Sequence, residues 1–131
     1  MDYWDLDELR DVYLEDSWVL SIVVDPIQVR LDLDLVLRES HRLYQEPAPD
    51  EQYCYKRASL VFVDVGSVVW GDRGAPHAED ATGTSDYGNI DLLERDDGVY
   101  RLQGEWGSMA LTTLSPPRVI FDDVRGISIG A

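Results

Sequence analysis

Hydrophobic and polar positions alternate along residues 27–38. Ile27, Val29, Leu31, Leu33, Leu35 and Leu37 share one side, and Gln28, Arg30, Asp32, Asp34, Val36 and Arg38 share the other. A helix repeats its apolar positions every three or four residues, so a period of two over this length predicts an amphipathic β-strand. Upstream, Trp18, Leu20, Ile22 and Val24 fall on one side of a second extended run, with Val19, Ser21 and Val23 on the other. Asp25-Pro26 lies between the runs as a turn signal. Residues 16–38 therefore predict a long hairpin, one strand apolar on both faces and the other sharply two-faced.

At the N-terminus, Leu6, Leu9 and Val12 or Tyr13 recur at helical spacing, and Asp5 with Glu8 matches a capping box. A short helix is expected there, with Trp4 as a buried anchor beside it. Residues 39–52 hold Pro47 and Pro49, which remove backbone donors, so this stretch predicts a loop, with Tyr44 and Tyr53 pinning it to the sheet edge. From Tyr53 the chain is extended again. Cys54, Lys56, Ala58, Leu60 and Phe62 alternate with Tyr55, Arg57, Ser59, Val61 and Val63, and the run turns apolar on both faces at Leu60. Gly66-Ser67 either turns the chain or bulges one long strand.

Residues 71–86 contain no apolar side chain larger than alanine or proline and predict a loop. A meander follows over 87–94, 98–106, 108–114 and 118–122, with turn signals at Asp96-Asp97-Gly98 and Gly107-Ser108. Tyr100, Leu102, Gly104 and Trp106 share one face, and Gly104 leaves room there for a neighbouring Trp or marks a bend. That face is the expected counterpart of the hairpin's apolar side. The pattern totals seven or eight strands without helical crossovers. It predicts a mainly β, antiparallel fold, arranged as a bent sheet, a sandwich or an open barrel, with one short N-terminal helix.

With 131 residues, the chain has the size of one domain that buries roughly two-thirds of its unfolded surface. Its formal charge of -15 argues against direct attraction to nucleic acid or anionic lipid, and would steer a basic protein partner or maintain solubility. No apolar run approaches the roughly 20 residues of a membrane-spanning helix. The acidic start MDYWDLDEL does not read as a signal peptide. A lone cysteine, Cys54, excludes an intrachain disulfide and suits a reducing compartment, so the expected location is cytoplasmic. The oligomeric state stays open.

Candidate chemistry is sparse. The sequence lacks a phosphate-binding Gly loop, a nucleophile elbow, paired cysteines and an HExxH pair, so no catalytic, cofactor-binding or metal residue is assigned and catalysis is disfavoured. Glu39 with His41, or His77 with Glu79 and Asp80, form only loose sets without metal-ligand spacing. Asp32 and Asp34 project from one face of a strand, within reach of acid–base work, but Arg30 and Arg38 on that face favour a solvated, paired surface. Asp64 interrupts an apolar run, and is expected at a sheet rim or paired with Arg57 or Arg101.

Asp16-Ser17, the run Leu60–Val65 and the strand pair Gly98–Gly107 together resemble small, acidic, mostly uncharacterised bacterial β-rich proteins, some of them immunity proteins of polymorphic toxin systems. The resemblance implies no site residues. Together with the acidic charge, the missing catalytic set and the aromatic-bearing loops, it points to a non-catalytic protein-binding module, and loops 39–52 and 71–86 are the places to look for recognition. The alternative is a ligand-binding or enzymatic β-barrel, with Trp70, Tyr87, Tyr100 or Trp106 lining a cavity.

Overall fold

In the computed structural model, which describes residues 2–71 and 88–122, eight strands build two four-stranded antiparallel sheets. The first sheet has the order β1 (Val12–Val24), β2 (Val29–Leu37), β3 (Cys54–Phe62), β8 (Arg118–Phe121). The second has the order β4 (Ser67–Gly71), β7 (Gly107–Thr112), β6 (Val99–Gly104), β5 (Ile90–Asp96). They form a sandwich and do not close into a barrel. The predicted loop over 71–86 and the tail beyond residue 122 lie outside the described residues, apart from Gly71, which ends β4.

The two-faced pattern of β2 maps directly onto the core. Val29, Leu31, Leu33, Leu35 and Leu37 are all buried, and Leu31, Leu33 and Leu37 pair in register with Leu60, Ala58 and Cys54 of β3. Opposite them stand Tyr100, Leu102, Met109 and Leu111 of the second sheet, with Phe62 meeting the Tyr100 ring edge-on at 5.2 Å. Each buried leucine contributes about 1.5–3 kcal/mol, so this interior is the main source of stability. Ile27, expected to begin the apolar face, is exposed before β2 starts. The chain crosses between sheets at residues 63–66. Thr113 fastens the crossing, its buried hydroxyl donating to the Val63 carbonyl at 2.7 Å.

Turn chemistry follows the sequence at two hairpins. The Asp25 N–H donates to the Gln28 carbonyl at 2.8 Å and closes the first. Asp97 (φ 50°) and Gly98 (φ 76°) are both left-handed, as a two-residue type I′ turn between Asp96 and Val99 requires. The next turn differs from expectation. It is made by Glu105-Trp106 between the paired Gly104 and Gly107, so Gly107-Ser108 begins β7.

The expected N-terminal helix is two 3-10 turns, Tyr3–Asp5 and Asp7–Leu9. With three residues per turn, positions i, i+3 and i+6 eclipse, and Tyr3, Leu6 and Leu9 form the buried stripe. Trp4 is therefore rotated outward and is 46% exposed, which overturns its expected role as the anchor. Val12 and Tyr13 belong to β1, because backbone pairing with Leu37 and Val36 outweighs another helical turn.

The true anchor is Tyr3, whose hydroxyl donates to Glu15 Oε1 at 2.5 Å and accepts the Leu14 N–H at 3.4 Å. Burial first, and the Glu15 carboxylate second, push the Tyr3 pKa up to about 12 from 10.0. A phenol whose folded pKa is raised holds its proton more tightly folded than unfolded. Its contribution is complete below pH 10.0 and is lost as pH rises toward about 12. Urea unfolding across that window is expected to show a stability drop that Tyr3→Phe abolishes.

Candidate functional site

The outer face of the first sheet carries an array of chemistry-bearing side chains. Strand register arranges it in rows. Tyr13, Val36 and Tyr55 form one, Trp18, Asp34 and Arg57 the next, then Ser21, Asp32, Ser59 and Ile120, and finally Val23, Arg30, Val61 and Arg118.

The first two rows owe their composition to a bulge. Between the pairs Tyr13–Val36 and Trp18–Asp34, β1 advances five residues while β2 advances two. A regular strand would place Tyr13 and Trp18 on opposite faces; the inserted residues return Trp18 to the outer face. Ser17 fills the gap. Its buried hydroxyl accepts the Val36 N–H at 2.9 Å and donates to the Tyr13 carbonyl at 2.6 Å. From the second sheet, Asn89 Nδ2 donates to the Ser17 carbonyl at 2.6 Å.

A second irregularity between Val19 and Ser21 changes the phase again, so Val19 and Ile22 face inward, with Trp18 and Ser21 outward. This corrects the expected grouping of Trp18 with Leu20, Ile22 and Val24. Alternation alone cannot count residues absorbed by bulges.

Tyr13 and Trp18 are consequently exposed, at 38% and 40%. The Arg38 guanidinium lies over the Tyr13 ring, 3.9 Å from its centre, while Arg38 Nε donates to the Val12 carbonyl at 3.1 Å. Glu15 and Asp16 stand in the bulge between the two aromatic residues, and Asp34 accepts Arg57 Nε at 2.9 Å.

Beside Tyr13, a cleft of about 510 Å³ opens between the strand ends and the loop after β2, with Arg38, Glu39, Tyr44, Tyr53 and Cys54 in its walls. The loop is held by its backbone: His41 N donates to Arg38 O and Tyr44 N to His41 O, both at 2.9 Å. Leu43 and Tyr44 pack against the core, as expected of a tyrosine that pins this loop.

The lower rows line a second cleft, of about 690 Å³, around Asp32. Asp32 Oδ2 accepts Ser21 Oγ at 2.5 Å, and Oδ1 accepts Ser59 Oγ at 2.8 Å and Arg30 Nε at 3.1 Å. Burial raises the Asp32 pKa, but Ser21, Ser59 and Arg30 outweigh it and the net shift is downward. The carboxylate stays ionised with both oxygens engaged, straps three strands together, and carries no proton to donate near neutral pH.

His41 meets Phe121 edge-on at 5.3 Å, and its Nδ1 accepts the Leu43 N–H at 3.0 Å. Burial lowers its pKa against the opposing pull of Asp11 and Glu8. That ring is occupied in holding the loop. His77, Glu79 and Asp80 lie outside the described residues. No group of three or more His, Cys, Asp or Glu converges to hold a metal among the described residues. Asp64 is an exposed rim residue with φ 53°, accepting Ser115 Oγ at 3.1 Å. Of the aromatics expected to line a cavity, Tyr100 and Trp106 fill the core, and Tyr87 lies outside the described residues.

The exposed aromatic face had little signal in the sequence, because Tyr13 sat within a helical pattern and the bulge was invisible. A serine at position 17, beside the apolar run from Trp18, is the one clue that could have flagged it. No family model, curated protein or solved structure matches this chain. No helix among the described residues is long and apolar enough to cross a membrane.

Proposed function

We propose that this chain is a non-catalytic protein-binding module that docks a basic protein on the Tyr13–Trp18 part of its first sheet. The observation that carries the reading is the pair of exposed aromatic rings, Tyr13 and Trp18, joined by a bulge that contains Glu15 and Asp16, on a chain of charge -15. Exposed aromatics supply large contact area at little entropic cost, and carboxylates around them favour a basic partner and speed its approach. Its setting is the bacterial cytoplasm, and its specific form is an immunity protein that covers a basic toxin surface.

Capture from the source cell at low and moderate salt, followed by identification of the bound protein, tests this. The expected result is one basic protein whose capture weakens with salt and falls at least tenfold with Trp18→Ala, an exposed-site change that leaves the melting temperature unaltered. Capture of no basic protein at either salt, or capture indifferent to Trp18→Ala, overturns the reading.

A further inference from the structure

We infer that the cleft beside Tyr13 is an anchor pocket for an arginine side chain presented by a partner polypeptide. The inference rests on the proposed docking function and extends it to a second, adjoining site. Three tyrosines, Tyr13, Tyr44 and Tyr53, stand in its walls with Glu39 and Pro47. Its volume of about 510 Å³ accommodates a long side chain and its waters. An arginine requires an apolar surface for its methylenes, ring faces for its planar head, and a carboxylate for its charge. The cleft has a residue of each kind in its walls: Pro47, Tyr44 with Tyr53, and Glu39.

Two further observations bear on a cation here. The protein already seats a guanidinium here: Arg38 lies 3.9 Å from the Tyr13 ring centre and is also tied to the Val12 carbonyl, so it is committed to that ring and leaves Tyr44 and Tyr53 as the remaining aromatic walls. The Tyr44 hydroxyl is harder to ionise than usual, through burial first and then the charges of Glu39, Cys54 and Glu46. Arg38 places one positive charge in the cleft, opposed by Glu39 in the wall and Glu46 nearby.

The test uses the full chain, isotope-labelled, titrated with n-butylguanidinium chloride and, separately, with N-acetylglutamate amide while amide resonances are followed. Saturable shifts centred on Glu39, Tyr44 and Tyr53 are expected with the guanidinium only. Glu39→Gln, at an exposed position, is expected to weaken binding about threefold to tenfold. Tyr53→Phe is expected to retain it, because the ring face and not the hydroxyl is the contact.

Absence of localised shifts, equal response to the glutamate compound, or a Glu39→Gln affinity equal to wild type each overturns the pocket. This readout is separate from partner capture. Guanidinium binding with no basic protein captured sinks the docking function alone. Capture of a basic protein without guanidinium binding sinks only the pocket.

Discussion

Replacing Ser17 with alanine is expected to destabilise the protein by about 2–3 kcal/mol, seen as a lower urea midpoint with an unchanged slope. Ser17 is 1% exposed and its hydroxyl stands where a ladder bond would be. Where β1 bulges away from β2, the Val36 N–H loses its backbone acceptor and takes Ser17 Oγ instead, while the same hydroxyl satisfies the Tyr13 carbonyl. Alanine strips both partners, leaving the Val36 N–H unmet in a buried site, at about 1–3 kcal/mol, and the Tyr13 carbonyl unmet in a part-buried one, at less. Against a typical total of about 5–15 kcal/mol, that is a large share of stability. A loss below about 0.5 kcal/mol would mean that the bulge relaxes to regular pairing, and the Tyr13–Trp18 face would then have to rearrange.

Gly104→Ala is expected to cost more, about 3 kcal/mol or above, and to lower the yield of folded protein. A Cβ at this position would fall less than 3.0 Å from the Asn89 carbonyl oxygen and from Nε1 and Cδ1 of Trp106. The obstruction comes from two sides. The carbonyl is backbone and cannot rotate away, and the Trp106 indole is buried with its N–H unpartnered, leaving it no ready alternative seat. The glycine is thus required by close approach and not by backbone conformation. Thermal unfolding of Gly104→Ala, compared with an outer-face control such as Gln103→Ala on the same strand, checks this. Equal stability of the two variants would refute the packing argument.

The two sites are connected. Asn89 presents its carbonyl to Gly104 and its side-chain amide to the Ser17 carbonyl. A displacement of Asn89 by the methyl group that Gly104→Ala introduces would disturb the bulge that Ser17 fills. The double variant is therefore expected to lose less than the sum of the single losses.

Particular residues show how far the sequence could be read. Leu31, Leu33 and Leu35 announced their buried face through strict alternation, Asp97-Gly98 announced a turn that needs positive φ, and the glycine at 104 announced either room for a tryptophan or a bend, of which the structure has the tryptophan. Trp4, Tyr13 and Trp18 were misplaced because each depends on a local departure from a regular period: 3-10 turns in place of an α-helix, or residues absorbed by a bulge. Asp32 and Asp34 were readable as a paired wet face from Arg30, but the closure of Asp32 by Ser21 and Ser59 needed the register of three strands.

The sequence by itself determined the class of the fold: antiparallel strands, their approximate number, the amphipathic face of β2 and two of the tight turns. Those properties follow from covalent geometry, which alternates side chains along a strand and admits only certain residues at positive φ. Only the tertiary structure decided the phase of β1, the outward turn of its aromatic residues and the identity of the N-terminal anchor. A bulge or a 3-10 turn is selected by contacts with residues distant in sequence, here Val36 and Asn89 at Ser17 and Glu15 at Tyr3, and that selection leaves no period along the chain to be read.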